Sequence, residues 1–142
     1  MLLVPEVNCP CILSHAFATS KGALTALSLD YKEFDFMRES FLKRRDLMLK
    51  LLNEIPGLKM NKPHGAFYIF PDVSYYFGKK NGSTTVNNAT ELCTYLLSDA
   101  KVSVVTGEAF GDTNCVRFSY ATSDDLLIEA AKRIKESLAR LN

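Results

Sequence analysis

The sequence predicts an α+β domain, sandwich-like, in which a small and mostly antiparallel sheet is covered by helices on one side. Three observations lead there. Residues 31–55 and 122–141 place apolar side chains at helical spacing. Short runs rich in β-branched and aromatic residues, 58–61, 66–70, 102–105 and 115–120, lie between them. The turn Lys62-Pro63-His64-Gly65 joins the first two runs closely enough for a hairpin.

Taken in order, the start MLLVPEVNCPC reads as extended, and residues 14–29, rich in Ala and Leu, as a short helix weakened by Gly22. From residue 31 to 55, Phe34, Met37, Phe41, Met48, Leu52 and Ile55 form the stripe of one long amphipathic helix. Pro56 and Gly57 end it, because proline cannot continue the ladder and glycine tolerates a left-handed exit. The turn-rich stretch 78–88 reads as a surface loop. Asn88 with Glu91 is an N-cap signature, and Leu92, Cys93, Leu96, Leu97 and Ala100 continue it as a helix. In the last helix Thr122 or Ser123 can cap, and Asp124 and Asp125 suit the positive N-terminus. Its core stripe is Leu127, Ala130, Ala131, Ile134, Leu138 and Leu141, with four-residue ion pairs Glu129 to Arg133 and Glu136 to Arg140 on the wet face.

Composition narrows the function. The 142 residues are 47% hydrophobic and 23% charged, which suits one folded domain. Seventeen Lys+Arg against 16 Asp+Glu leave net charge +1, so no broad field draws nucleic acid or an anionic membrane surface. No apolar run approaches the ~20 residues of a spanning helix. The start lacks a basic residue ahead of its apolar stretch, against a signal peptide. Four cysteines, two of them in apolar segments, point to reduced thiols and a cytoplasmic protein.

Arg117 stands out on physics alone. Strand alternation puts Val116, Phe118 and Tyr120 on one face and Cys115, Arg117 and Ser119 on the other. If the aromatic face packs under helices, the guanidinium fork on the opposite face suits bidentate capture of a carboxylate. A solvated edge-strand arginine or a structural ion pair is the ordinary alternative. Cys9, Cys11 and His15 offer only three metal ligands where structural zinc takes four, so no metal site is expected. Lys43-Arg44-Arg45 reads as a helix's wet or interdomain face, and His64 as a turn residue.

The run CVRFSYATSDDLLIEAAKRIKESLARL, with PHGAFYIFPDVS and VSVVTGEAFG upstream, resembles the C-terminal part of class I aminotransferases of the aspartate aminotransferase type. These are fold-type-I enzymes dependent on pyridoxal 5'-phosphate, and the resemblance runs from about residue 14 to the end. It implies that residues 1–30 lead from a large domain that is missing here, and that residues 31–142 are the small domain. It implies further that Arg117 binds the substrate α-carboxylate and that Phe67, in the proline-x-glycine-aromatic turn, lies near the substrate pocket. Thr106 stands where the family usually has proline before Gly107, a change expected to affect loop rigidity.

The cofactor's lysine, acidic partner and phosphate cup belong, by this resemblance, to the large domain. Ser20-Lys21 resembles the serine-lysine pair only superficially, because GALTALSLDY follows it. No catalytic, cofactor-binding or metal-binding residue is therefore assigned to this segment, and the isolated chain is expected to be inactive. The intact enzyme would be a homodimer exchanging an amino group between an amino acid, aspartate by overall resemblance, and a 2-oxo acid. A related lyase or synthase shares the same arginine. The alternative from another class is a stand-alone, non-catalytic module that uses Arg117 to bind an acidic metabolite or partner.

Overall fold

The structure is a computed structural model and describes residues 10–142. The extended reading of residues 1–9, including Cys9, lies outside the described residues, as do the side chains of Cys11 and His15. The chain forms two compact units, Met1–Phe36 and Met37–Asn142.

In the first unit α1 spans Pro10–Ser28, starting four residues before the sequence expectation. Proline suits a first helical turn, where its missing N–H would have no partner. Phe17, Leu24 and Leu27 are exposed on it. The expected single helix over 31–55 is instead two elements. Tyr31–Phe34 is a 3-10 turn, capped by Asp30 Oδ1 accepting from Lys32 N at 3.1 Å. Helix α2 follows as Asp35–Asn53. The Asp30 cap starts the 3-10 turn, and the α-helix proper begins only at Asp35, a change of helix type that apolar periodicity does not register. At the other end Ile55 N–H bonds to the Leu52 carbonyl three residues back, so the helix tightens before Pro56.

The second unit holds the sheet. Strands β1 (Tyr68–Ile69), β4 (Val105–Thr106) and β5 (Val116–Ser119) form an antiparallel sheet in the order β1-β5-β4. The expected hairpin between 58–61 and 66–70 shrinks to an antiparallel bridge, Lys59 with Asp72. Ala66 is the reason: its φ of 58° interrupts the extended run, so β1 begins at Tyr68 and pairs with β5. The expected surface loop 78–88 contains a second hairpin, β2 (Lys79–Asn81) with β3 (Thr84–Val86), turned at Gly82 with φ of 60°. Val86 is fully buried, and the Asn142 backbone pairs with Lys80, so this hairpin belongs to the fold.

Helix α3 (Ala89–Asp99) is capped as expected, Asn88 accepting from Glu91 N at 2.8 Å. Helix α4 spans Asp124–Leu138. Ser123 takes its cap position without a side-chain cap bond, and Ala130 is only half-buried. The Glu129–Arg133 pair forms at 2.7 Å. Arg140 lies beyond the helix end, where four-residue spacing no longer aligns it with Glu136, and binds Asp99 at the end of α3. Asp99 also accepts from the buried Ser137 hydroxyl.

One core unites Met48 and Leu52 of α2, Leu92 and Leu96 of α3, and Leu127, Ile134 and Leu138 of α4 with Ile69, Val116, Phe118 and Tyr120. All three helices thus contribute to the apolar cluster that buries one face of the sheet. Among the described residues no helix is long and apolar enough to cross a membrane.

Candidate functional site

Pairing fixes which side chains share the open face. Tyr68 lies opposite Ser119 and Val105 opposite Arg117, so these four face the same way. Ile69 opposite Phe118 and Thr106 opposite Val116 take the other. The expected alternation of β5 therefore holds: Val116, Phe118 and Tyr120 are buried, Arg117 is half-buried and Ser119 exposed. Cys115 departs from it, being buried although it shares Arg117's parity, because it enters the bridge with Asp72. Since β5 is the central strand, Arg117 is not an edge arginine.

The guanidinium rests on aromatic rings. Its Cζ lies 4.3 Å from the ring centroid of Tyr68 and 4.3 Å from that of Phe110. Tyr68 comes from the strand on one side of β5 and Phe110 from the 3-10 turn Gly107–Phe110 that follows the strand on the other. Among the described residues Arg117 makes no ion pair. The Cys115 thiol, two residues away, is pushed up to about 11 by its burial, then by Asp112, and so stays neutral near pH 7. No nearby thiolate balances the arginine.

The loop carrying Phe110 is closed on itself. A Cβ on Gly107 would lie 2.3 Å from the Asp112 carbonyl oxygen and 2.4 Å from that of Cys115, so only glycine fits. Gly107 N–H donates to Cys115 O at 2.7 Å, and Gly111 N–H to Glu108 O at 3.2 Å. Thr106, standing at the expected proline position, has φ of −59°, the angle a proline ring would impose. Its hydroxyl, 3.0 Å from that of Thr90 and accepting from Glu108 N, ties it in place without the ring.

Phe67 sits next to this site and is part exposed. Its ring centroid lies 4.5 Å from that of Tyr68 and 6.0 Å from that of Phe41. The preceding Ala66 is a left-handed non-glycine residue, and Tyr120 holds it there. The Tyr120 hydroxyl donates to Ala66 O at 2.9 Å and its N–H to Phe67 O at 3.0 Å. The turn also lines a cavity of about 230 Å³ with Phe41, Arg45 and Tyr120. Arg45 pairs there with Asp46 at 2.8 Å and donates to Pro63 O, and Arg44 reaches Asp124 at 3.3 Å. Arg44 and Arg45 of the basic triplet are thus engaged within the protein, while Lys43 is exposed.

Arg117 and the Phe67 turn, far apart in sequence, thus meet through Tyr68. Sequence reasoning missed Tyr68 and Phe110. Alternation from the apolar, core-facing Ile69 could have put Tyr68 on the open face, whereas no local signal marks Phe110.

Neither Lys21 nor the glycine loop is built to hold pyridoxal phosphate. Lys21, the only serine-preceded lysine, lies exposed on α1 with its Nζ 4.8 Å from the Phe17 ring centroid. The glycine loop offers no phosphate cradle, because the Gly107 and Gly111 N–H groups are spent on its own carbonyls.

Comparison with known proteins gives the family of the chain. The family described as "Aminotransferase class I and II" matches residues 10–134. The bifunctional aspartate aminotransferase and glutamate/aspartate-prephenate aminotransferase of Petunia hybrida is 43% identical over 127 residues, covering 87% of this chain and 26% of that protein. A probable aspartate/prephenate aminotransferase of Aquifex aeolicus is 45% identical over 123 residues, 84% of this chain and 29% of that one. The crystal structure of the aspartate aminotransferase from Rhizobium meliloti superposes with a TM-score of 0.80 at 41% identity, over 84% of this chain and 30% of that chain. The chain therefore spans under a third of the length of these relatives. Matched along most of its sequence, it belongs to the class I and II aminotransferases.

Proposed function

We propose that residues 31–142 are the small domain of a pyridoxal-phosphate aminotransferase and that Arg117 binds the α-carboxylate of its amino-acid and 2-oxo-acid substrates. Residues 1–30 lead to it from a large domain, which holds the cofactor and the contacts of a homodimer. The observation that carries the reading is a cation on the open face of the central strand with no carboxylate of its own among the described residues. Such a guanidinium can offer a substrate carboxylate two parallel N–H donors. That contact orients the α-carbon toward the reacting group held elsewhere in the enzyme. Phe67 walls the same pocket.

The names of the relatives support aspartate as amino donor. Cys93 and Cys115 are free thiols, which supports work in the cytoplasm. The chain alone does not transaminate.

The test is Arg117→Ala in the full-length enzyme. Leaving a substrate carboxylate desolvated and unpaired costs about 3–5 kcal/mol, so kcat/KM falls by a factor of about a hundred to several thousand. Thermal stability stays near that of the parent. Catalytic efficiency close to the parent's overturns the reading.

A further inference from the structure

We infer that Tyr68 and Phe110 are positioning residues for substrate binding, two rings that hold the Arg117 guanidinium ready for a carboxylate without engaging its donors. The inference rests on the proposed role of Arg117 and says how that role is met. A lone guanidinium set half-buried on an open sheet face is poorly placed by its own flexible stem. Protein sites commonly fix such a group with an acidic partner. An acidic partner here would compete with the substrate for the same N–H groups and cancel the charge that attracts it.

Aromatic faces solve this differently. The ring quadrupole attracts the cation and restricts its motion, while the N–H groups, which lie in the guanidinium plane, remain free to donate. Both centroids are 4.3 Å from Cζ, which is contact distance. Each ring is in turn fixed from behind. Phe110 meets Phe70 edge to face at 6.2 Å and 90°, and the closed Gly107 loop sets its backbone. Tyr68 is held by pairing with Ser119 and by the Phe67 ring. Phe67 therefore also supports Arg117 through Tyr68.

The experiment compares full-length holoenzymes carrying Tyr68→Leu or Phe110→Leu with those carrying Tyr68→Phe or Phe110→Tyr, each also in an Arg117→Ala background. KM and kcat are measured for the amino-acid substrate. Each leucine variant is expected to raise KM about three- to thirtyfold with little change in kcat, and the aromatic variants to restore it. In the Arg117→Ala background the leucine substitutions add nothing further. Phe110 is about half exposed at 49%, so its replacement leaves the core intact and keeps the test readable if Tyr68→Leu unfolds.

Leucine variants with parental KM overturn the inference while leaving the Arg117 reading in place. So does a KM loss of the same size with and without Arg117, which would mean that the rings act on something else. Arg117→Ala with parental efficiency overturns the reading itself, and the inference with it.

Discussion

Strand β5 is four residues long, and its two faces, a single step apart along the chain, do opposite work. On one, Val116 and Phe118 share an apolar core with three helices. On the other, Arg117 and Ser119 stand beside Tyr68, with a positive charge left without an acidic partner among the described residues. Stability concentrates where water is excluded; recognition sits where a charge is kept accessible. The comparison teaches that adjacent residues can be altered with separate consequences.

The largest stability effect expected is from Phe118→Ala, about 3–5 kcal/mol in urea denaturation of the chain. Ser119→Ala, one residue on, should stay within about 0.5 kcal/mol. Comparable costs at the two sites would break the division between the faces.

Next is Asn88→Ala, expected to cost about 1 kcal/mol by removing the α3 cap while leaving the open face untouched. A full-length Asn88→Ala enzyme with KM unchanged sharpens the comparison, and a KM rise comparable to that of Phe110→Leu counts against it.

The smallest effect is on the acid side. Asp99 is held below its ordinary 3.8 first by the Ser137 hydroxyl and then by Arg140. Its contribution is therefore present above the unfolded carboxylate range and lost as pH falls through the depressed value. Melting temperatures between pH 7 and pH 2 should show Asp99→Asn less stable than the parent at pH 7. The two should converge toward pH 2. A constant gap across that range would mean that the Asp99 charge contributes nothing to tying α3 to α4.

Much of this was legible in the sequence where a local signal was strong. Asn88 and Glu91 announce α3, Asp124 and Asp125 announce α4, and parity alone places Arg117 opposite Phe118. The misses share a physical cause. The 3-10 turn that Asp30 caps runs into α2 at Asp35, and apolar spacing does not record such a change of helix type. The β2–β3 hairpin is polar apart from Val86, and only the turn pair Gly82-Ser83 ahead of the β-branched Thr84-Thr85-Val86 hinted at it. Arg140 chose Asp99, and Phe110 met Arg117, through tertiary approach that no window of adjacent residues contains.

The register of Tyr68 against Ser119 has a consequence for errors in assembly. Sliding β5 by one residue would drive the guanidinium into the hydrocarbon interior and push Val116 and Phe118 out into water. Both halves of that exchange are unfavourable, so a misaligned sheet carries a double penalty. The charge needed for binding thus also acts as a proofreading mark, rejecting the misthreaded strand before any ligand arrives.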